Sequence, residues 1–472
     1  MSLTVFAEAS ILQQMRAVSV EELLLPLLLQ LALIIAVARL FAGLFRRMGQ
    51  PAVVGEIAAG LFLGPSFLGH FFPTAFAFIF RPTLGELPPE ASDLILSRVL
   101  TALAQIGLVL LLFLIGMEFD FGHLRWHGRS ALTISLTGIL APFTMGAALG
   151  WWVQPILAPD TPLLGFLLFM GTAMSITAIP ILGRMMMEMG VTRTRTAAVT
   201  ITSAAVDDAA GWIMLATVAA AVRSTFSPGQ TVGMIAATVG FGLFMLLVAR
   251  PLLLRFARWS LRVGEGEIRV NALAALLVML FLCAAVTNVI GIFAVFGAFI
   301  LGAVFSDQHE FREAVNRRLY DMVTTFFLPI FFAYTGLRTN IGTLETPQMW
   351  LIAAAVSGVA IAGKFGGCSV AAWLGGMTPR ESACVGILMN TRALMELIVI
   401  NVGKDLGVIP DSMFCMLVLM ALLTTFMTTP ILLRLMRGTD LEAPILASGF
   451  LARGRVPERP IAMATDASSE TR

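Results

Sequence analysis

Residues 200–221 read TITSAAVDDAAGWIMLATVAAA, an apolar run with two adjacent aspartates, Asp207 and Asp208, near its middle. About 20 apolar residues are what an α-helix needs to cross the hydrocarbon core of a bilayer. An ionisable side chain at mid-bilayer costs roughly 3 kcal/mol on insertion scales, so its presence indicates a function. Adjacent helical residues point about 100° apart, so the two carboxylates do not share one partner. We expect one to face a water-filled cavity and the other to face a neighbouring helix.

The composition extends this reading to the whole chain. Of 472 residues, 58% are hydrophobic and 13% are charged, and the mean hydropathy is +0.89. Soluble domains carry about 25% charged residues, so a water-soluble enzyme is excluded and an all-α polytopic membrane protein is predicted. The net charge of +2 gives no indication of nucleic-acid binding. The sequence shows neither a phosphate-binding loop nor a nucleophile–base arrangement, so neither ATP nor another cofactor is expected.

Apolar runs of helical length predict about thirteen transmembrane helices, between a segment 1–21 outside the membrane and a cytoplasmic, disordered tail at 437–472. The predicted spans, which make up a membrane domain over 22–436, are 22–44, 51–68, 98–117, 130–153, 163–186, 195–222, 230–253, 270–287, 289–305, 319–337, 349–374, 382–403 and 411–436. A single helix over 270–305 is the alternative and gives twelve. With thirteen spans and the amino terminus outside, 22 of the 31 basic residues fall inside and 6 outside, as the positive-inside rule favours for a cell (inner) membrane.

Two predicted spans have polar residues and a break signal in mid-membrane. The fifth, GTAMSITAIPILGRMMM at 171–187, carries Ser175, Thr177 and Pro180, and the twelfth, GILMNTRALMELIVINVG at 386–403, carries Asn390, Thr391, Arg392 and Glu396. Broken helices in corresponding positions of two repeats mark the midplane site of transporters. An offset of seven spans makes the two run in opposite directions, as inverted repeats require. We predict non-helical backbone at Thr177–Pro180 and Asn390–Arg392, crossing near the midplane; the alternative for the first is a continuous, proline-kinked helix.

Lys364 is the only lysine within a predicted span. A buried ammonium needs a carboxylate, and the aspartate pair is the candidate partner. The alternative is a lysine that extends its ammonium to the membrane surface.

Five stretches together resemble the monovalent cation:proton antiporter-2 family (sodium or potassium/proton exchangers, Kef- and NapA-like), and especially its plant and fungal cation/proton exchanger branch. They are PAVVGEIAAGLFLGPSFLG at 51–69, LLLFLIGMEFD at 110–120, MSITAIPILGRMM at 174–186, AAVDDAAGWI at 204–213 and MNTRALMELIVINVGKD at 389–405. The resemblance implies inverted repeats with two crossed broken helices, a core that moves against a dimerisation subdomain, and a homodimer. It also implies that Asp208 is the ion-binding carboxylate, and that Asp207, Lys364 and Thr177 stand at family site positions. The exchanger branch often has Asn-Asp where this chain has Asp-Asp, so its stoichiometry is not carried over.

The sequence therefore predicts a secondary antiporter in the lipid bilayer that exchanges Na⁺ or K⁺ for protons by alternating access. We expect the exchange to move net charge across the membrane. Asp208 is the expected site for the cation or proton. A bile-acid-type sodium symporter of the same architecture is one alternative, and a potassium-efflux channel-like or sensor protein is the other. The carboxylates with Lys364 argue against the symporter, and the lack of a filter loop or charged ring argues against the channel.

Overall fold

The structure is a computed structural model that describes residues 19–448 except 85–86, 88, 119–127, 178, 193, 224–227, 292–293 and 393. For some further residues, among them Asp208 and Pro180, the backbone alone is described. Apart from turns and short connecting segments, the described residues are helical, which confirms the all-α prediction. The α-helices are α1 Val20–Arg47, α2 Ala52–Leu63, α3 Leu68–Phe71, α4 Pro73–Phe80, α5 Pro89–Glu118, α6 Gly128–Leu157, α7 Leu163–Ser175, α8 Ile179–Glu188, α9 Arg195–Arg223, α10 Pro228–Phe244, α11 Arg250–Val263, α12 Val270–Ile290, α13 Ala294–Val304, α14 His309–Met322, α15 Leu328–Leu337, α16 Pro347–Ile361, α17 Gly367–Leu374, α18 Pro379–Met389, α19 Leu394–Asp405, α20 Asp411–Leu435 and α21 Glu442–Ala447.

Short π-helical turns join α10 to α11, α14 to α15 and α16 to α17 without ending the helix. Within the described residues, eight helical stretches are long and apolar enough to cross a membrane. They are Val20–Arg47, Ala52–Phe71, Ala91–Glu118, Ser130–Leu157, Ala236–Val263, Val270–Ile290, Pro347–Leu374 and Asp411–Leu435. Of the other five predicted spans, 195–222 and 319–337 coincide with continuous helical stretches, Arg195–Arg223 and residues 309–337. The spans 163–186, 289–305 and 382–403 coincide with helices that are shorter or interrupted. The count of thirteen stays a prediction.

The alternative of one long helix over 270–305 is wrong. Helix α12 ends at Ile290, and Gly291 follows it with φ +100°, a left-handed conformation that glycine adopts without a steric penalty. Helix α13 then packs back against α12. At Gly297 a Cβ atom would overlap the carbonyl oxygen of Cys283, so the absence of a side chain permits this close approach.

The helices pack into two groups, which we call the scaffold bundle (residues 20–118 and 270–337) and the site bundle (residues 128–223 and 347–435). Helices α10 and α11 connect them. The bundles meet where α20 packs on α2. They also meet where the Arg338 guanidinium, just after α15, donates to Asp405 Oδ1 at 2.7 Å and Asn401 Oδ1 at 3.1 Å.

The prediction that residues 437–472 are disordered is wrong for their first part. Helix α21 buries Ile445, and Asp440 accepts hydrogen bonds from the Thr196 amide at 2.9 Å and from the Thr196 hydroxyl at 2.6 Å. Thr196 lies in the first turn of α9, whose amide groups have no acceptor within the helix, so a carboxylate there acts as a cap. Residues 449–472 and 1–18 lie outside the described residues.

Candidate functional site

The first broken helix consists of α7 and α8. Helix α7 ends at Ser175, Ile176 is extended with φ −77° and ψ 143°, and α8 begins at Ile179. The predicted non-helical stretch Thr177–Pro180 is therefore too long at its far end, since Pro180 lies in the first turn of α8. Proline is tolerated in a first turn because it lacks only the backbone N–H, which has no acceptor within the helix at that position.

The second broken helix consists of α18 and α19. Thr378 and Glu381 form a capping box and Pro379 is the first helical residue, which fixes the start of α18. The helix ends at Met389, the non-helical stretch includes Thr391 and Arg392, and α19 begins at Leu394. This agrees with the predicted break at Asn390–Arg392.

The two breaks lie against each other. The Thr177 hydroxyl is 3.2 Å from the carbonyl oxygen of Met389, the last residue of α18. From the second break, Arg392 Nη1 donates to the carbonyl oxygen of Ala173 at 2.9 Å, and Nη2 donates to that of Met174 at 2.5 Å. Both broken helices and their crossing, predicted as one motif, are confirmed.

Asp207 lies beside this crossing and is fully buried. Its Oδ1 accepts from the Ser135 hydroxyl at 2.5 Å, and its Oδ2 accepts from Lys364 Nζ at 2.5 Å and lies 3.1 Å from Thr177 Oγ1. The single Thr177 proton serves either Asp207 or the Met389 carbonyl at one time. The carboxylate is therefore held by three elements, α6, α16–α17 and the first break.

Lys364 is fully buried in the π-helical turn between α16 and α17. Besides Asp207, its ammonium group donates to the carbonyl oxygens of Ser175 at 2.5 Å and Gly138 at 2.9 Å. All three ammonium protons therefore have acceptors, and the alternative of a lysine that reaches the membrane surface is wrong. The partner proposed from the sequence, the aspartate pair, is the one observed, through Asp207.

The carbonyl end of α7 is covered by two cations. Its last residues Ala173, Met174 and Ser175 offer carbonyl oxygens that have no acceptor role within the helix, and the helix dipole makes this end negative. Arg392 binds the first two and Lys364 the third. Side chains of the protein thus bind the carbonyl groups that this break leaves without helical donors.

Arg392 also pairs with Glu396, one helical turn later in α19, with Nη1 3.0 Å from Oε2 and both side chains fully buried. The two ion pairs, Lys364–Asp207 and Arg392–Glu396, each balance one positive and one negative charge. Among the described residues no group of three or more His, Cys, Asp or Glu side chains is placed to hold a metal ion.

The remaining predicted residues divide into three groups. The Ser175 hydroxyl donates within its own helix to the Gly171 carbonyl oxygen at 2.6 Å and lies 3.2 Å from that of Ile139. The Thr391 and Thr428 hydroxyls bond each other. Asn390 is fully buried, and its amide has no hydrogen-bond partner in the described part of the chain. The side chains of Asp208 and Pro180 lie outside what is described, so the structure places the Asp208 backbone in α9 beside Asp207 and no more.

Sequence reasoning missed Ser135 and the Gly138 carbonyl, both in α6. A serine in an apolar span is common, so Ser135 alone gives a weak signal. The structure gives a reason for the glycine at position 138, since a Cβ there would overlap Cys368 Sγ. The glycine thus permits the close approach of α6 to Cys368, one helical turn after Lys364.

Comparison with known proteins gives a consistent result. The family model described as "Sodium/hydrogen exchanger, transmembrane" matches residues 32–435. The chain is 38% identical over 415 residues to Cation/H(+) antiporter 17 of Arabidopsis thaliana, a match that covers 87% of this chain and 48% of that protein. It is 37% identical over 416 residues to the Na(+)/H(+) antiporter NhaS4 of Synechocystis sp., covering 87% of this chain and 97% of that protein. The chain spans about half the length of the plant relatives that it matches.

A solved structure shows the same fold. The sodium proton antiporter MjNhaP1 from Methanocaldococcus jannaschii superposes with a TM-score of 0.55 at 16% sequence identity, over 88% of this chain and 99% of that one. At this identity the likeness concerns the fold alone. The family match over most of the chain and the similarity to NhaS4 show that this protein belongs to the transmembrane sodium/hydrogen exchanger family.

Proposed function

We propose that the protein is a secondary antiporter that exchanges a monovalent cation, Na⁺ or K⁺, for protons. The observation that carries this proposal is the fully buried Lys364–Asp207 pair at the crossing of the two broken helices. A charged pair with no contact to solvent is expensive to bury and contributes little to stability compared with apolar residues. Its position at the crossing is therefore best explained by charge that enters and leaves. The names of the relatives, which include cation/H⁺ and Na⁺/H⁺ antiporters, support the same activity.

In the proposed cycle, Asp208 binds either the cation or a proton, and the two compete for one carboxylate. Arrival of the cation next to Asp207 weakens the Asp207–Lys364 pair. Lys364, once unpaired in a site of low dielectric constant, releases its proton. Two protons then move against one cation, and the cycle transfers net charge. If Lys364 only supports the helix crossing, one proton moves per cation and the cycle is electroneutral.

The proposed motion follows from the two bundles. The site bundle holds both broken helices and Asp207, and its contact with the scaffold bundle is confined to a few helix pairs, so we propose that it moves as a core against a scaffold that serves for dimerisation. The proposed assembly is a homodimer in a cell (inner) membrane, with the amino terminus outside and the carboxyl terminus in the cytoplasm. The distribution of basic residues supports this orientation.

A vesicle assay tests the activity. The purified protein is reconstituted into vesicles with an imposed pH gradient, and Na⁺, K⁺ and Li⁺ are added in turn. An antiporter collapses the gradient on addition of its cation, with saturable kinetics. A bile-acid-type symporter collapses it with none of them alone, and a channel carries cations without moving protons. A gradient that survives all three cations contradicts the proposal.

A further inference from the structure

Among the described residues of the second break, Asn390 is the one whose side chain makes no hydrogen bond. Thr391 bonds Thr428, and Arg392 bonds the carbonyl end of α7 and Glu396. By contrast, both the oxygen and the nitrogen of the Asn390 amide are buried without a hydrogen-bond partner among the described residues. Burying an unpaired amide costs free energy that an apolar side chain of similar size does not incur. A buried amide of this kind calls for a partner other than the described side chains and backbone.

The position of Asn390 suggests the nature of that partner. It follows Met389, whose carbonyl oxygen is within hydrogen-bond distance of Thr177, and Thr177 in turn contacts Asp207. The amide therefore belongs to the residue next to the crossing contact, and it is attached to the C-terminal end of α18. Carbonyl oxygen atoms at the ends of broken helices are the ligands that alkali cations take in transporters.

The carboxylates alone offer too few free oxygen atoms to bind a dehydrated cation. The two Asp207 oxygens already accept from Ser135, Lys364 and Thr177. A cation that leaves water must replace several hydration oxygens, and one further carboxylate does not supply enough of them. Neutral oxygens at the crossing have to complete the shell.

We propose that the Asn390 side-chain oxygen is a ligand of the transported monovalent cation, and that it contributes to the choice between cations of different size. This inference rests on the proposed function, which names the carboxylates and Lys364 but gives no role in binding to Asn390. The ligand class is a dehydrated alkali cation, bound by one carboxylate and neutral oxygens.

The test uses Asn390→Leu and Asn390→Ser in the full chain. In vesicles, Asn390→Leu should raise the apparent KM for the preferred cation by about tenfold, the loss expected for one buried polar contact, and should change the ratio of KM values for Li⁺, Na⁺ and K⁺. Asn390→Ser keeps an oxygen on a shorter side chain and should fall between Asn390→Leu and the wild type.

A thermal-unfolding measurement in detergent gives a readout that does not depend on transport. A bound cation raises the Tm of the wild type by an amount that grows with the logarithm of the ratio of cation concentration to Kd. Asn390→Leu should match or exceed the wild-type Tm without cation, because an unpaired amide has been removed, and should lose most of the gain on adding cation. A purely structural amide predicts the opposite pattern, a lower Tm without cation and an unchanged gain.

The matched control is Ser369→Ala. Its hydroxyl is also buried without a partner in the described region, and it faces α18 at Gly386, one helical turn before Asn390. This variant should leave the KM values and the cation-induced gain within about twofold of the wild type. If Asn390→Leu and Asn390→Ser also keep both values within that range in an active protein, the inference is overturned. If the wild type itself collapses no pH gradient, the proposed function fails instead, and the thermal measurement still decides whether Asn390 binds a cation.

Discussion

Lys364 and Asp207 form an ion pair in which neither side chain reaches solvent and the ammonium nitrogen lies 2.5 Å from Oδ2. The two residues are 157 positions apart in the chain. The pair thus connects the two chain segments that build the site bundle. Lys364 also donates to the Ser175 carbonyl oxygen at the end of α7.

The first prediction concerns this pair. Lys364→Ala should lower the free energy of unfolding by about 3–5 kcal/mol, because it leaves the Asp207 carboxylate buried and unpaired. The double variant Asp207→Asn, Lys364→Ala should be destabilised by much less than the sum of the two single changes. A double-mutant cycle in detergent measures this difference. Arg318→Ala is the control: it breaks the exposed pair with Glu267, and a loss within about 1 kcal/mol is expected.

The second prediction concerns the second aspartate. Asp208→Asn should abolish cation-dependent collapse of the pH gradient, because an amide neither releases a proton nor neutralises a cation, while the protein still elutes as a folded species in detergent. An Asp208→Asn variant that exchanges at close to the wild-type rate would remove Asp208 from the proposed role.

The third prediction concerns stoichiometry. If Lys364 releases a proton in each cycle, exchange by the wild type should speed up or slow down when the membrane potential in vesicles is clamped at opposite signs. Lys364→Arg offers a sharper comparison, since a guanidinium keeps its proton. Any exchange that this variant retains should be indifferent to the potential. Wild-type exchange that is itself indifferent to the potential would refute the two-proton scheme.

The fourth prediction separates packing from charge at the second break. Arg392→Leu should be destabilising by about 3–5 kcal/mol, since it leaves Glu396 and two carbonyl oxygens of α7 buried without a cation. Adding Glu396→Leu should recover part of this loss. A double variant as unstable as Arg392→Leu alone would indicate that the carbonyl contacts, rather than the charge pair, account for the whole effect. Chemical denaturation in detergent measures all three proteins.

The sequence was sufficient to predict the two broken helices because each combines an unusual polar group with a proline or an arginine in an otherwise apolar span. The Lys364–Asp207 contact was also predictable, since a buried ammonium has few possible partners. The end of the first break was not, because Thr177 and Pro180 carry similar signals and only the backbone shows that Pro180 is already helical. Ser135 could not be found, because its role depends on which face of α6 meets α9.

The tail was mispredicted for a related reason. The tail as a whole, residues 437–472, is polar and carries several arginines, which is typical of disorder, yet Ile445 is fully buried and Asp440 binds the first turn of α9. A short segment is stabilised by a few specific contacts that composition does not register. The division between twelve and thirteen spans depended on Gly291, whose left-handed conformation the sequence allowed but did not require.

The bond between Asp440 and Thr196 has a mechanical consequence. The site bundle is made of two separate stretches of chain, 128–223 and 347–435. A force on one stretch reaches the other only through the contacts between them. Asp440 follows the second stretch and binds Thr196 at the start of α9, in the first stretch. A pulling force applied to the chain just after Ala447 would therefore reach α9, the helix that carries Asp207, through the Asp440–Thr196 bonds. Under tension we expect these bonds to break before the contacts within the site bundle.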